Sequence, residues 1–379
     1  MALLTPGVAR TPVPGDDRRV PSLFIDGTWT SGSGGSADVI NPFDARVLET
    51  VGQAGSDDVE RAVAAARAAF DTGPWPGTPA AERGALLHRV ADLLVRDKEE
   101  IARTETLDTG KTLVESRIDV DDVTAVFRYY ADLTGKDAGR LVDTGNPDVV
   151  SRVVHEPVGV CVLITPWNYP LLQLSWKVAP ALAAGNTVVI KPSEVTPLSS
   201  VLLVRLLEEA GAPRGVVNIL LGDGRSVGAP LSEHPDVDMV SFTGGLATGQ
   251  AIMRAAATTV KRVAVELGGK NPNIVFADTD FETAVDNALT AVFLHAGQVC
   301  SAGARLIVED ALHDDLVAEL ARRAERIRLG NGLDEGTESG PIVSAAQRAK
   351  IEDFVASAQA EGARLVADRA AVQEGKADS

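Results

Sequence analysis

The stretch VGVCVLITPWN, residues 158–168, indicates the fold more clearly than any other part of this 379-residue sequence. Its first seven residues are apolar or glycine and rich in β-branched side chains, without the alternation of a half-exposed strand. Strands of this kind are buried on both faces, as they are in parallel sheets. The sequence TPWN is therefore predicted to form a turn at the carboxyl end of a parallel strand.

Strands and helices alternate downstream of this stretch. Strands are predicted at TVVI (187–190), VVNIL (216–220), DMVSF (238–242) and RVAVEL (262–267), with helices between them. This βαβ series predicts a doubly wound α/β domain. A second α/β unit opens at NPNIVF (271–276), continues with a helix over 281–295 and returns with the strand ARLIVE (304–309). Upstream, apolar residues at helical spacing predict helices over 57–71, 81–107 and 115–134.

The bulk composition excludes several classes of function. A formal net charge of −17 repels polyphosphate, so a nucleic-acid partner is not expected. Two cysteines argue against a disulfide framework and fit a reducing compartment. No apolar run approaches the roughly 18 residues that a membrane span needs, and residues 1–20 lack the apolar core of a signal peptide and are predicted to form a flexible extension. A cytoplasmic protein with no membrane partner is expected.

Unusual turns follow several predicted strands, where open α/β sheets bind their ligands. The turn FTGGLATG (242–249) offers glycines and helix amides to an anion, although a simple tight turn explains it equally well. In KPSE, Lys191 and Glu194 would bind ribose hydroxyls, and the carboxylate would repel a 2′-phosphate, which favours NAD; a solvated turn is the alternative. The segment GDGRSVG (222–228) has one residue too many for a dinucleotide fingerprint and is interpreted as a loop and helix cap.

The segment HAGQVCSAG (295–303) contains Cys300 between a predicted helix and a predicted strand. A thiol there is a candidate nucleophile, whereas inert burial is the usual state of a cysteine, as expected for Cys161 within VGVCVLI. His295 is not expected to be the partner of Cys300, since residues five apart on a helix do not share a face. It is expected to end the helix.

Five motifs occur in the order and spacing of the aldehyde dehydrogenase superfamily: TPWNYP, WKVAPALAAGNTVVIKPSE, FTGG, VAVELGGKNPNIV and GQVCSAG. From about residue 22 to residue 362 the sequence resembles this superfamily, and within it most resembles betaine aldehyde and related ω-amino aldehyde dehydrogenases. The resemblance implies NAD-dependent oxidation of an aldehyde to a carboxylic acid, with NADP as a second cofactor option and betaine aldehyde as a candidate substrate.

The resemblance also implies catalytic roles. Cys300 would attack the aldehyde to give a thiohemiacetal and then a thioester, and Asn168 would hold the oxyanion with the Cys300 N–H. Glu266 would be the general base for hydrolysis, which favours release of a free acid, and Lys177 would relay protons. Tyr169 and Trp176 would line the aldehyde tunnel, where aromatic faces hold a quaternary ammonium; ordinary core packing explains them as well.

The implied cofactor contacts lie at strand ends, and no metal site is implied. They are Ile164, Thr165, Pro166, Trp167, Lys191, Glu194, Phe242, Thr243, Gly244, Gly245, Gly249 and Leu267.

The implied domain organisation has an NAD-binding domain (21–137 and 158–267), an oligomerisation ribbon (138–157) and a catalytic domain (268–379), with a dimer or tetramer as the assembly. Family members continue past the position of residue 379 with an ExFGP segment, whereas this chain ends in the polar stretch VADRAAVQEGKADS. An incomplete catalytic domain would leave strand edges open. Two hypotheses follow: a working dehydrogenase, and a truncated, inactive fragment that at most binds NAD, which is the state expected for this chain.

Overall fold

The computed structural model describes residues 22–136 and 138–367. Its strands are β1 (Leu23–Ile25), β2 (Thr28–Thr30), β3 (Ser36–Ile40), β4 (Val47–Gly52), β5 (Arg140–Val142), β6 (Ser151–Val153), β7 (Val160–Ile164), β8 (Thr187–Lys191), β9 (Val217–Ile219), β10 (Met239–Gly244), β11 (Arg262–Leu267), β12 (Pro272–Val275) and β13 (Arg305–Val308). Its α-helices are α1 (Ser56–Asp71), α2 (Ala80–Arg96), α3 (Lys98–Thr109), α4 (Leu113–Leu133), α5 (Pro170–Ala184), α6 (Leu198–Glu209), α7 (Ala229–Glu233), α8 (Leu246–Ala257), α9 (Phe281–Phe293), α10 (Asp310–Ala324) and α11 (Ala345–Ala360).

A seven-stranded sheet has the strand order β11-β10-β7-β8-β9-β1-β2. Strands β7 to β11 pair in parallel, whereas β1 pairs antiparallel with β9 and β2. Every residue of β7 and β8 is buried, as their apolar sequences predict. The chain runs from β7 through β8 to β9 and then returns to β10 on the other side of β7. The crevice between the ends of β7 and β10 is thus a topological switch point, where sheets of this kind bind ligands.

The residues that the structure describes form two hydrophobic clusters. The larger cluster contains residues of β7 to β10 and of the helices α1, α2, α4, α5 and α6 that pack on the sheet. The smaller cluster contains Val275, Ala284, Val285 and Leu316, between the two-stranded parallel sheet β12–β13 and the helices α9 and α10. This architecture confirms the predicted α/β class.

The segment predicted as one helix over 81–107 is two helices, so that prediction was wrong. Asp97 lies between α2 and α3, with φ −102° and ψ 15°, and it caps both. The Asp97 carboxylate makes no capping hydrogen bond and instead accepts from the Arg96 guanidinium, while Asp has a low intrinsic preference for helix interiors. By contrast, α4 begins as its sequence indicates, with Thr112 and Glu115 forming a capping box.

An antiparallel ribbon, β5–β6, projects large apolar side chains into solvent. Leu141 and Val150 are each 80% exposed. Among the described residues, no helix is both long enough and apolar enough to cross a bilayer.

Candidate active site

The predicted cofactor residues meet along one edge of the large sheet. Ile164, at the end of β7, pairs with Lys191 of β8 on one side and with Phe242 of β10 on the other. Gly244, the last residue of β10, pairs in turn with Leu267 of β11. The carboxyl ends of four neighbouring strands therefore bring these residues together at the switch point.

The glycines of the turn after β10 leave room beside this edge. A side chain at Gly245, the N-cap of α8, would meet no atom within 4 Å, so there is free space beside the start of this helix. A Cβ at Gly249 would instead approach Leu267 Cδ2 to 2.9 Å, so the helix packs closely against β11 only because this residue is glycine. Thr165 Oγ1, just past β7, is buried without a hydrogen-bond partner. A dinucleotide would fit this edge for three reasons. There is free space at Gly245, the helix approaches β11 closely at Gly249, and the Thr165 hydroxyl has no hydrogen-bond partner.

The two turns beside β7 and β8 are tied to each other. Lys191 is buried, and its Nζ lies 3.0 Å from Glu194 Oε2, a carboxylate that is exposed. The hydroxyl of Thr196 donates to the Trp167 carbonyl at 3.0 Å, and Pro166 and Trp167 are half-buried. The chain thus presents an ammonium group and a carboxylate side by side at the end of β8.

Thr243 and the segment 222–228 both make hydrogen bonds within the protein. Thr243 is buried and donates a hydrogen bond to Gln173 Oε1 at 3.3 Å. In the segment 222–228, the carboxylate of Asp223 accepts hydrogen bonds from the backbone of Arg225 and Ser226 and caps a single π-helical turn. The interpretation of that segment as a loop and cap is confirmed.

The two cysteines lie in contrasting surroundings. Cys300 is an exposed free thiol that follows a 3₁₀ turn, Leu294–Gly297, after α9. Cys161 is buried in β7, and burial raises the pKa of its thiol to about 12. Sequence reasoning did not single out Asn271, whose side-chain amide donates to the Cys300 carbonyl at 3.2 Å. Its position in the motif VAVELGGKNPNIV was the available signal.

Asn168 connects the turn after β7 to the Cys300 turn. Its side-chain amide donates a hydrogen bond to the Gln298 carbonyl at 2.7 Å, across 130 residues of sequence. An amide group has two N–H bonds, so one remains for another acceptor. Among the described residues, nothing accepts a hydrogen bond from the Cys300 N–H. One N–H of the Asn168 amide and the Cys300 N–H therefore remain available as donors.

Lys177 and Glu266 both lie beside β10. Glu266 pairs with Thr243 in the register of β10 and β11, and it is exposed. Lys177, from α5, donates a hydrogen bond to Ser241 Oγ at 3.0 Å. Burial lowers the pKa of Lys177 to about 8, although the nearby Glu266 carboxylate acts in the opposite direction. The lysine and the carboxylate thus interact electrostatically.

The two aromatic residues expected in the substrate tunnel lie apart. Trp176, half exposed on α5, lines a groove of about 330 Å³ between α4 and α5 with Tyr129 and Asp122. Tyr169, at the N-cap of α5, has the ammonium group of Lys111 3.9 Å from its ring centroid and the His295 ring 5.4 Å away. Sequence reasoning missed Lys111, Asp122 and Tyr129, because nothing in their own segments indicates what they face.

His295 was expected to end the helix α9, but it lies beyond the helix end. The helix α9 ends at Phe293, and His295 lies buried in the following turn. Within the described residues, no group of three or more His, Cys, Asp or Glu side chains is arranged to hold a metal ion.

Known proteins resemble this chain along most of its length. The family model described as the aldehyde dehydrogenase family matches residues 29–379. Betaine aldehyde dehydrogenase of Bacillus subtilis is 56% identical over 345 residues, covering 91% of this chain and 70% of the relative. Human retinal dehydrogenase 2 is 42% identical over 359 residues, covering 94% of this chain and 69% of the relative. The predicted resemblance is confirmed.

Solved structures agree with the fold. The crystal structure of Staphylococcus aureus betaine aldehyde dehydrogenase in complex with NAD⁺ superposes with a TM-score of 0.90 and 49% identity, covering 92% of this chain and 69% of that one. A point mutant of the same enzyme, also with NAD⁺, gives a TM-score of 0.89 and 50% identity, with coverages of 90% and 69%.

Proposed function

The chain belongs to the aldehyde dehydrogenase family, and we propose that it oxidises betaine aldehyde or a related ω-amino aldehyde to the carboxylic acid through a Cys300 thioester. As a family member it is an NAD(P)-dependent aldehyde dehydrogenase. The hydrogen bond from Asn168 to Gln298 carries the proposal, because it holds an oxyanion donor beside the exposed thiol. The 56% identity to a betaine aldehyde dehydrogenase supports the choice of substrate.

In the first step, the Cys300 thiolate forms a C–S bond to the aldehyde carbon, and the carbonyl oxygen becomes an oxyanion. The second N–H of the Asn168 amide and the Cys300 N–H would stabilise that oxyanion. Preorganised donors of this kind commonly contribute about 10² to 10³ in rate each. The exposure of Cys300 gives an aldehyde access to the thiol.

NAD is proposed to bind at the switch-point edge. Lys191 and Glu194 would hold the adenosine ribose, the turn from Gly244 to Gly249 would hold the pyrophosphate at the start of α8, and Leu267 would approach the nicotinamide amide. When bound, the cofactor supplies the acceptor for the hydride that leaves the thiohemiacetal carbon. The chain itself supplies the ordered strand ends against which the cofactor is oriented.

In the last step, water attacks the thioester carbon, and the C–S bond breaks to return the thiolate and release the acid. Glu266 would take the proton from that water. Lys177 is suited to pass a proton onwards, because a pKa of about 8 allows it to exist in both forms near neutral pH.

The groove beside Trp176 supports a cationic substrate. Two aromatic side chains, Trp176 and Tyr129, and the Asp122 carboxylate surround a space open to solvent. Aromatic faces attract a quaternary ammonium by about 0.5 to 2 kcal/mol, and a carboxylate adds to that attraction. A neutral aliphatic aldehyde would make only the apolar contacts with this groove and would not gain the attraction to a cation.

The exposed apolar side chains of the β5–β6 ribbon bear on how the protein assembles. The exposed Leu141 and Val150 of the β5–β6 ribbon favour a homo-oligomer, dimer or tetramer, in which a partner subunit covers them. We propose the domain division given by the sequence, with the ribbon between the two parts of an NAD-binding domain. A cytoplasmic location agrees with the free thiol of Cys300.

An alternative function is binding of NAD without turnover. The exposure of both Cys300 and Glu266 favours it, since aldehyde dehydrogenation needs a pocket that shields the thioester from bulk water. The cofactor edge, in contrast, includes two fully buried strands, β7 and β8. Under this alternative the chain would bind NAD with an affinity independent of Cys300.

One experiment separates the two functions. The purified chain is assayed for NADH formation with betaine aldehyde and with an uncharged aliphatic aldehyde, and NAD binding is measured by calorimetry. Turnover that disappears in Cys300→Ala, with NAD binding retained, supports the dehydrogenase. Binding without turnover supports the alternative, and the absence of both contradicts the two proposals together.

A further inference from the structure

Lys111 places a positive charge in the interior of the protein. It lies in the short connection between α3 and α4, and its side chain is fully buried. A buried ammonium group is unfavourable unless opposite charges and hydrogen bonds compensate for the water that it loses. The groups around Lys111 therefore indicate what its charge stabilises.

Two carboxylates from neighbouring helices pair with the Lys111 ammonium. Its Nζ lies 2.5 Å from Asp119 Oδ2 of α4 and 3.5 Å from Glu105 Oε1 of α3. Both carboxylates are buried, and among the described residues neither oxygen of Glu105 has a hydrogen-bond partner. The ammonium group thus attaches α3 to α4 through two buried acidic side chains.

The same ammonium group lies over the ring of Tyr169, with Nζ 3.9 Å from the ring centroid. The face of an aromatic ring attracts a cation at this distance, and the attraction is stronger where water is excluded. Tyr169 is the N-cap of α5 and directly follows Asn168 in the chain. The cation therefore holds a ring whose backbone is bonded to the residue that supplies the oxyanion donor.

A second contact joins the Tyr169 ring to the turn that precedes Cys300. The His295 ring meets it edge to face, with centroids 5.4 Å apart and planes at 78°. The His295 N–H donates to Glu115 Oε1 at 2.7 Å, and Glu115 belongs to the capping box that begins α4. The ring of Tyr169 thus contacts both the connection that carries Lys111 and the turn before the thiol.

We propose that Lys111 is a positioning residue, whose ammonium group holds the Tyr169 ring and thereby orients the adjoining Asn168 amide relative to the Cys300 turn. The proposal rests on the proposed dehydrogenase function, in which Asn168 stabilises the oxyanion. Loss of the cation would remove one of the two contacts described for the ring. Displacement of a catalytic group by about 1 Å can cost about 100-fold in rate.

A double-mutant cycle tests whether the ammonium group acts through the ring. Lys111→Met removes the charge at similar length, Tyr169→Leu removes the aromatic face, and a third variant carries both substitutions. The matched control is a second cation–π pair, Arg205 and Trp29 at 4.2 Å, substituted as Arg205→Met and Trp29→Leu. All variants are assayed with an uncharged aliphatic aldehyde, so that attraction of a cationic substrate to Tyr169 does not contribute.

Each single substitution at Lys111 or Tyr169 is expected to lower kcat by about 10- to 100-fold, with KM for NAD changed by less than about twofold. The double variant should lose no more than about threefold beyond the larger single loss, because the two groups act through one contact. The control pair should keep kcat within about twofold. An unchanged kcat in either single variant, losses that multiply in the double variant, or a matching rise in KM for NAD would overturn the proposal.

A second measurement keeps the positive charge in place, because Lys111→Met leaves two buried carboxylates without their cation and can prevent folding. Phenylalanine and its mono-, di- and trifluorinated forms are incorporated at position 169, where each fluorine weakens the negative face of the ring with little change in shape. The value of kcat with the uncharged aldehyde is expected to fall stepwise as fluorines are added. The same series at Phe127, a buried ring of α4, should leave kcat within about twofold. A kcat that does not follow fluorination at position 169 contradicts the proposal.

Hydrogen exchange decides the proposal when the chain gives no turnover, a result that would contradict only the proposed function. The amides of residues 167–169 are expected to exchange faster with each fluorine added at position 169, and to keep their rates in the Phe127 series. Exchange that is unchanged in this segment would show that the contact with Lys111 does not order the Asn168 turn.

Discussion

The Asn168 amide and the Gln298 carbonyl form a 2.7 Å hydrogen bond that joins the end of a sheet strand to the turn carrying the thiol. The two residues lie 130 positions apart in the sequence, and no local sequence pattern indicates that their segments meet. This bond attaches the Asn168 amide to the turn that carries Cys300. Preorganisation of this type is what makes a donor effective in catalysis.

Removal of the thiol is the most direct test of the site. Cys300→Ala is expected to lower aldehyde turnover by at least about 10³-fold, because no other group described here can form the thioester. NAD affinity, measured by calorimetry, should stay the same. Cys161→Ala is the control: it deletes a buried thiol, lowers stability and leaves turnover intact. Residual turnover above a tenth of the original in Cys300→Ala would contradict the role.

Removal of the oxyanion donor should affect the rate more than cofactor binding. Asn168→Ala is expected to lower kcat by about 10² to 10³, with KM for NAD nearly unchanged. Asn186 offers a comparison, because its side chain also makes hydrogen bonds, but to the backbone of Val158 and Gly159. Asn186→Ala should lower the melting temperature without a comparable loss of kcat. The reverse ranking of the two variants would argue against the assignment.

Lys177 should make stability increase at alkaline pH. Its pKa is lowered from 10.5 to about 8 in the folded protein, so between these values the folded state binds fewer protons than the unfolded state. The free energy of unfolding therefore rises with pH across this window, by at most about 3 kcal/mol for the full shift. Urea denaturation of the original chain and of Lys177→Met at several pH values measures it.

The stability difference between the two proteins should change in favour of the original chain as the pH rises from 8 towards 10.5. Below pH 8 both states of the original chain carry the charge, and the burial cost is present in full. A difference that stays constant with pH would show that Lys177 is not desolvated. Lys270→Met, at an exposed lysine, serves as the control.

The aromatic groove should distinguish charged from uncharged substrates. Trp176→Leu is expected to raise KM for betaine aldehyde about 2- to 30-fold, the range that corresponds to a cation–π contribution of about 0.5 to 2 kcal/mol. The effect on an uncharged aldehyde of similar size should be smaller. Trp29→Leu is the matched control, because Trp29 lies against Arg205 and Glu208. Equal changes for both aldehydes would contradict an ammonium site.

The carboxylate beside Lys191 should select against a 2′-phosphate. Glu194→Gln removes a negative charge 3.0 Å from Lys191, and kcat/KM with NADP is expected to rise by up to about tenfold while that with NAD falls. Glu209→Gln, at a carboxylate paired with Arg96, controls for the change in net charge. No gain with NADP would mean that another group sets the preference.

The cofactor edge was predictable from sequence because its residues follow strands with strong signals. Lys191, Gly244 and Leu267 each end a run of apolar β-formers, and the ends of parallel strands meet at one edge. The roles of Cys300 and Asn168 came from the family resemblance, not from periodicity. The N-terminal strands β1 and β2, three residues each, are too short to show alternation.

The contacts around Tyr169 could not be predicted in the same way. Lys111 lies over the ring and His295 beside it, yet both come from segments distant in sequence, and no local pattern connects them. A buried lysine is unfavourable unless paired, and its partner Asp119, at 2.5 Å, belongs to the next helix. Such pairings depend on tertiary packing, which a single sequence does not specify at the level of residue pairs.

The unequal exposure of the two cysteines makes the chain suitable for quantitative labelling. An alkylating fluorophore reacts with thiolates, so in the native protein it should attach at Cys300 and leave the buried Cys161 unmodified. A label-to-protein ratio of one is then expected for folded chains, and a higher ratio indicates chains in which Cys161 has become exposed. The fraction of folded chains in a preparation could thereby be measured without a substrate. A dye at Cys300 would also report the binding of a nearby ligand as a change in fluorescence.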